Sequence, residues 1–437
     1  MILGPQKTRR RNPVIIFVIV VTVIASLAVL LYNIPYFHDR LAWRVEAFRA
    51  EIKYALNPPG VVVFQPNTSL TPDSQAYITE TSTPTTPPEP GSVSEGPPGT
   101  PTTIPTPTRS PTPIPSQALL SGFNHQFQQW NNCGPANLAM ALSYWDWEGD
   151  QQDTAAYTKP NKRDKNVMPY EMADFVTEQT DLSAAVRVGG DLEMLKAFIA
   201  AGFPVIVEKT FEGPRFEGWM GHYEVVNGYD DASQVFIVQD SYDGPDISIS
   251  YEDMINHWRA FNNTYIVIYP PEREAQVVSI LGPHSDPVYN YQAAAQKAIE
   301  ETATLSDRDQ FFAWFNRATN LVRLHDYTGA ATAYDAAFAN YPSIPLEERP
   351  WRLIWYQTGP YFAYYYSGRY QDVIELATTT LDAMSEPNLE ESYYWRAMAK
   401  IALGETEDAI KDLRESLKHH PDFIPSLELL RQLGEEP

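Results

Sequence analysis

A single cysteine, Cys133, occurs in 437 residues. No disulfide can form within the chain, and an isolated thiol in an exported protein is more often kept for chemistry than for stapling. Histidine is scarce at 8. His38, His257, His284 and His325 have neither a cysteine nor a closely spaced second histidine, so no zinc site is expected. Asp230, Asp231, Asp243 and Asp246 lack the spacing of a calcium loop, and no phosphate-cradling glycine loop occurs; neither a metal nor a cofactor is therefore expected. Basic residues are outnumbered, 32 Lys and Arg against 55 Asp and Glu, for a net charge of -23. Such a surface repels nucleic acid.

Long apolar runs are also rare, with one exception at the N-terminus. Residues 14–32 (VIIFVIVVTVIASLAVLLY) are nearly all apolar, long enough at ~1.5 Å per residue to cross a hydrocarbon core of about 30 Å. Lys7, Arg9, Arg10 and Arg11 precede them, which predicts a cytoplasmic segment 1–13 and a single-pass transmembrane signal-anchor with everything after it outside the cell membrane. A cleaved signal peptide would carry the same charge pattern, but the run exceeds an h-region of about 7–15 residues. Over 36–57 the apolar positions Phe37, Leu41, Val45, Phe48, Ile52 and Ala55 recur at helical spacing with Arg40, Arg44, Arg49 and Lys53 between them. This predicts an amphipathic helix lying on the lipid bilayer or packing between two copies of the chain.

Residues 66–116 are dominated by Pro, Thr, Ser and Gly and predict a disordered linker. Its reach, on the order of 150 Å extended and about 40 Å as a coil, suggests a spacer from the membrane. Residues 118–270 read as an α+β domain. A helix begins near Cys133, two more are predicted over 169–179 and 191–201, and strand-like runs follow at 204–208, 222–229, 235–240 and 265–269, with a hairpin turn at 230–233. Helices first and strands last predict an antiparallel sheet with helices packed on one side; residues 148–167 read as loop.

From 288 to 437 the chain turns all-α, and self-similarity appears. Asp326-Tyr327-Thr328-Gly329-Ala330, Arg369-Tyr370-Gln371-Asp372-Val373 and Glu405-Thr406-Glu407-Asp408-Ala409 occupy equivalent places. Small Ala318, Ala330 and Ala337 alternate with bulky Trp314, Leu321 and Tyr334, the pattern of tetratricopeptide repeats, which dock protein partners. The spacing is uneven: 43 residues from Ala330 to Val373 and 36 from there to Ala409, against ~34.

Asn131-Asn132-Cys133-Gly134-Pro135 runs into an apolar helix through Leu138, Leu142 and Trp145. A thiol at a helix start feels the positive end of the dipole and unpaired amides, which depress its pKa from about 8.5. A thiolate nucleophile needs an imidazole to carry its proton and a third group to hold the ring. His222 opens a strand-like run beside the small Gly221, which would leave the imidazole accessible, and Asp240 closes the next run; if the two runs pair as a hairpin, these residues become neighbours. An oxyanion donor is expected just upstream of the cysteine. Gln126, Gln128 and Gln129 are candidates, and Gln128 is preferred.

The combination of His125-Gln126-Phe127-Gln128-Gln129-Trp130-Asn131-Asn132-Cys133-Gly134-Pro135-Ala136 with Gly221-His222-Tyr223, Gly228-Tyr229-Asp230 and Asp240 resembles cysteine-peptidase family 39, a papain-like group that includes bacteriocin leader peptidases. The resemblance covers 118–270 and implies Cys133 as nucleophile, His222 as general base and acid, Asp240 as orienting carboxylate and Gln128 as oxyanion donor, acting on a peptide or protein substrate. Gln128 stands five residues before the cysteine where papain-like enzymes usually have six. With no attached transporter, removal of double-glycine leaders is not expected. The expected whole is a membrane-anchored, extracytoplasmic cysteine peptidase joined to a tetratricopeptide-type array; a transpeptidase or amidase using the same groups, or an inactive binding scaffold, are the alternatives.

Overall fold

The computed structural model describes residues 35–68, 114–159, 161, 164, 166–213 and 218–436, together with scattered positions between 17 and 30. Those scattered positions are helical, while most of 1–34 and of the Pro/Thr/Ser-rich stretch lies outside the described residues. Among the described residues no helix is long and apolar enough to cross a membrane.

Helix α1 (Pro35–Leu56) comes first, followed by strand β1 (Gln117–Leu119), α2 (Cys133–Ser143), α3 (Gln151–Thr158), α4 (Pro169–Gln179), β2 (Ser183–Arg187) and α5 (Leu192–Ala200). Then come β3 (Val205–Gly213), β4 (Gly218–Asp230), β5 (Val235–Asp240), β6 (Gly244–Ser250), α6 (Tyr251–Trp258), β7 (Tyr265–Tyr269) and α7 (Glu274–Leu281). The strands form a single antiparallel sheet in the order β2-β7-β3-β4-β5-β6, with β1 on the far half of β4. The expected hairpin of β4 and β5 is present, and Asp230 accepts hydrogen bonds from Ala232 N and Ser233 Oγ in its turn.

Helices cover both faces of this sheet rather than one. Val205 and Val207 pack under α5, α6 and α7 with Leu195, Phe198, Trp258 and Leu281, whereas Ile206 points to the other side, against α2 and α4 with Leu138, Leu142 and Phe175. Alternate side chains of one strand thus enter two cores, which is why these strands read as near-continuous apolar runs. Three elements escape apolar periodicity. Polar α3 is set by a capping box between Asp150 and Asp153, β2 is short, and β6 lies at a sheet edge with much of its surface in water.

The helical C-terminal region contains α8 (Pro287–Thr304), α9 (Asp307–Arg323), α10 (Tyr327–Asn340), the single turn α11 (Leu353–Tyr356), α12 (Gly359–Tyr366), α13 (Tyr370–Ala383), α14 (Glu390–Ala402), α15 (Thr406–His419) and α16 (Ile424–Gln432). The pairs α9/α10, α12/α13 and α14/α15 are joined by tight turns. Alanines 318, 330, 333 and 337 are buried, letting α9 and α10 approach while Phe315 and Tyr334 fill the seam edge to face at 4.8 Å. The long interval between Ala330 and Val373 has a cause: residues 341–358 form an irregular insertion that contains α11.

No spacer separates this region from the sheet domain. Phe261 stacks on Trp219 at 5.7 Å, Trp219 stacks on Phe312 at 6.1 Å, and these rings share one core with Phe311 and Phe315. Buried amides pin the seam: Asn262 and Asn320 exchange hydrogen bonds of 2.8 and 3.1 Å, and Asn316 Nδ2 donates to Arg259 O at 2.7 Å.

Helix α1 and the segment after it also lie on the helical region. Arg49 pairs with Glu386 at 2.8 Å, Lys53 donates to the Asp382 and Met384 carbonyls, and Tyr54 meets Trp351 edge-on. The face that packs carries Ala50 and Tyr54, whereas Phe48, Ile52 and Ala55 of the expected apolar face are exposed, because the partner surface is made of carbonyls, a carboxylate and a ring that the basic flank can pin. The Pro/Thr/Ser-rich stretch is tied down at both flanks, by Asn67 N to Asp372 Oδ1 and by Tyr229 Oη to Pro115 O. Its extended length therefore does not set how far the folded body stands from α1. Phe64 is buried among Phe338 and Tyr364. Replacing Phe64 by Ala should lower unfolding free energy by about 3 kcal/mol, as expected for an aromatic removed from a core, measured by urea denaturation; a change within error would show that this segment contributes nothing to the fold.

Candidate active site

Cys133 is the first residue of α2, whose remaining residues 134–143 are buried. Asn131 holds a left-handed conformation, φ 56°, which asparagine tolerates better than most residues, and this bends the chain into the helix. Asn132 is not a side-chain cap. Its Oδ1 and the Asn131 carbonyl instead accept from Lys159 Nζ at 2.9 and 3.2 Å, which brings an ammonium close enough to feel the sulfur.

The hairpin brings the second and third groups in. β4 and β5 pair Val225 with Gln239, so Asp240 falls beside Glu224 and its carboxylate reaches back along β4. His222 Nε2 and Asp240 Oδ1 are 3.0 Å apart, both residues buried. The same Oδ1 accepts from Tyr242 N at 2.6 Å and Asp243 N at 3.1 Å, so the turn after β5 fixes the carboxylate before the imidazole meets it. The imidazole is also hydrogen-bonded to the Cys133 side chain. With Nε2 committed to Asp240, the nitrogen left for the thiol is Nδ1.

The electrostatics favour an ion pair. Burial disfavours charge on His222, but the hydrogen bonds and charges of Asp240 and Cys133 outweigh it and raise its pKa to about 10. Burial likewise pushes the Cys133 thiol up, yet His222 and the backbone of Tyr223 and Gly134 carry it below its ordinary value. Asp240 is pushed up by burial but held far below the usual carboxylate range by His222 and the Tyr242 amide. The group can therefore store a thiolate beside an imidazolium near neutral pH.

Gln128 is oriented by residues the motif reading missed. Its Oε1 accepts from Ser241 Oγ at 2.9 Å, and its backbone N donates to Ser241 O at 2.7 Å. Ser241 Oγ in turn accepts from Asn137 Nδ2, which also donates to the carbonyls of Cys133 and Tyr223. With Oε1 committed to Ser241, the Nε2 hydrogens are the free end of the carboxamide. Of the other two candidates, Gln126 Oε1 accepts from Gln151 N, and the backbone N of Gln129 donates to Gln151 Oε1. Asn137 lies one turn after Cys133 and Ser241 directly follows Asp240, positions that could have been flagged as neighbours of the candidates.

Gly221 does not leave the imidazole accessible, since His222 is buried. A Cβ on Gly221 would lie 2.7 Å from Phe261 Cζ and 3.1 Å from Tyr356 Cε1; the glycine makes room for rings. Two further acids sit nearby. Glu208 is held well above the usual carboxylate range by burial, opposed by a hydrogen bond to Tyr223 and reinforced by Cys133; Tyr223 Oη itself donates to Val167 O at 2.8 Å. Glu224 is raised by burial to about 7 despite Lys209, whose Nζ is 2.6 Å away. His222, Glu224 and Asp240 place ligand atoms within 4.8 Å of one another, but a cation there would compete with the Lys209 ammonium and with the bond that orients His222, so the donor set fits a metal poorly.

Asp240→Asn removes the charge that favours imidazolium. The thiol should then titrate closer to about 8.5, so the thiolate present in the wild type at neutral pH is lost and reappears only as pH rises. Ultraviolet absorbance of the thiolate reads this cleanly because the chain has one cysteine; an unchanged titration would remove Asp240 from the charge network.

Residues 120–266 match the family described as Peptidase_C39 like, so this part of the chain carries a Peptidase C39-like domain. Solved structures similar to the chain include a protein assigned as a C39-like peptidase from Bacillus anthracis, at 19% identity and TM-score 0.29 over 35% of this chain and 96% of that one. A double-glycine-motif protease from an AMS/PCAT transporter, in complex with the leader peptide, matches at 18% and 0.27 over 35% and 98%. The peptidase domain of Streptococcus ComA, a bi-functional ABC transporter of a quorum-sensing pathway, matches at 17% and 0.28 over 34% and 99%. No curated protein matches the chain.

Proposed function

We propose that the chain is a cysteine peptidase whose Cys133, His222 and Asp240 cut a peptide or protein substrate through a thioester. What supports this is the unbroken hydrogen-bonded path from thiol to imidazole to carboxylate, inside a stretch that matches a peptidase family. The Cys133 thiolate attacks the scissile carbonyl carbon, forming a C–S bond as the carbonyl electrons move onto oxygen. The oxyanion meets the Gln128 carboxamide and the backbone N–H of Cys133. Collapse breaks the C–N bond, and His222 gives its proton to the departing amine. A water then loses a proton to His222 and attacks the thioester, releasing the acid and restoring the thiolate–imidazolium pair. An amine in place of that water would make the same groups a transpeptidase or amidase.

The N-terminal run anchors this machinery to the membrane in a single pass, with the peptidase and helical regions outside. The exposed stripe of Phe48, Ile52 and Leu56 on α1, directly after that run, suits a lipid surface. The paired helices act as tetratricopeptide-type repeats that dock a protein partner or substrate.

Cys133→Ala and His222→Ala should each abolish cleavage of an unfolded test protein, and Gln128→Ala should cost about 10²–10³ in kcat. Activity surviving in Cys133→Ala would refute the assignment. Product masses separate the outcomes: free acid for hydrolysis, an amide of an added amine for transfer, and no product with an unreactive thiol for a binding scaffold.

A further inference from the structure

The space beside the Cys133 sulfur is small, about 10 Å³, roughly what one water fills. Asn131, Val167, Glu208, Gly221 and Tyr223 line it from the sheet domain, and Tyr356 of α11 lines it from the helical region. Tyr356 lies in the insertion that stretches the interval between repeats, and it is held there from both sides. Arg352 Nη1 donates to Trp219 O and Gln357 Nε2 to Ala260 O, both at 2.8 Å. Its ring stands edge-on to Phe261 at 5.7 Å and Trp219 at 6.2 Å. The hydroxyl is hydrogen-bonded to the Gly221 backbone and close enough to feel the charge of Cys133. The strand it packs on is the one that continues into His222.

We propose that Tyr356 is a specificity-determining residue of the Cys133 site, a wall supplied by the helical region that limits the width of the group reaching the sulfur. This rests on the peptidase reading only for its consequence in substrate choice; the wall itself is a property of the pocket. Sequence and geometry agree on its origin. An insertion that merely lengthened a surface loop would be polar and exposed, whereas this one buries Arg352, Leu353, Ile354 and Trp355 and delivers a ring to the nucleophile. The helical region is thus part of the site as well as a docking surface beside it.

The test alkylates the full chain with two electrophiles of different width, followed by intact mass, which counts a single adduct because the chain has one cysteine. Iodoacetamide is narrow: sulfur displaces iodide, which leaves with the electron pair of the C–I bond. N-phenylmaleimide is wide: sulfur adds to one alkene carbon and water protonates the other. The ratio of wide to narrow rate should rise stepwise from wild type through Tyr356→Leu to Tyr356→Ala, by about tenfold overall, the equivalent of relieving ~1.4 kcal/mol of overlap. Tyr356→Leu keeps an apolar contact for Phe261 and Trp219, so it reports even if the alanine variant, checked by thermal melting, does not fold. A ratio unchanged in folded Tyr356→Leu overturns the proposal. Peptide cleavage is scored separately: a ratio that shifts while no peptide is cut sinks the peptidase reading and leaves the wall standing.

Discussion

A slip of one residue between β4 and β5 would send every side chain of β4 to the opposite face, and the site would vanish with it. The hairpin register holds Asp240 beside Glu224 and within 3.0 Å of His222, and the same strand, paired with β3 on its other edge, sets Tyr223 opposite Glu208. The register is protected because β4 is buried along nearly its whole length. Val225 and Val226 enter different cores, so a slip would exchange the side chains that fill the two. Backbone pairing and apolar burial therefore do the positioning, and the polar groups inherit it.

The cost of that arrangement is a set of buried ionisable groups, and their pKa values show how each is tolerated. His222 and Asp240 stay charged by pairing, as does the thiol through the imidazole. Glu208 avoids charge because burial holds it well above the usual carboxylate range. A negative Glu208 would oppose the thiolate through the low-dielectric pocket they share, so its neutrality is part of what permits the ion pair. A second group of acids lies where residues 164–171 meet α14: burial lifts Asp164 to about 7 and Glu171 to about 8, with Glu390 adding to both. For both, the folded value lies above that of an unfolded chain, so protonation favours the folded state, and the contribution weakens as pH climbs from the ordinary carboxylate range through 7–8.

Much of the site was legible in the chain because the groups concerned sit at element boundaries that carry local signals. A Gly-Pro pair opening an apolar helix marked Cys133, and two strand-like runs separated by Asp-Asp-Ala-Ser implied the hairpin that joins His222 to Asp240. What escaped was of two kinds. Polar α3, held by its capping box, has no apolar period to detect, and β6 offers only Ile247 and Ile249. Contacts between distant segments, such as Ser241 on Gln128 or Tyr356 at Gly221, depend on tertiary placement that spacing does not encode. The seat of α1 on the helical region was not legible for a related reason: its apolar stripe was visible, but the surface of this chain that receives the helix is polar and takes the other face.

Three positions within four residues of β4 tie the two halves of the molecule together. Trp219 gives its ring to the core of the helical region and its carbonyl to Arg352, Gly221 makes room for Phe261 and Tyr356, and His222 holds both the thiol and Asp240. The seam with the helical region and the imidazole are thus placed by four successive residues of one strand. Hydrogen bonds weaken over tenths of an ångström, so the placement of this short stretch serves both the packing of the seam and the bonds of the imidazole.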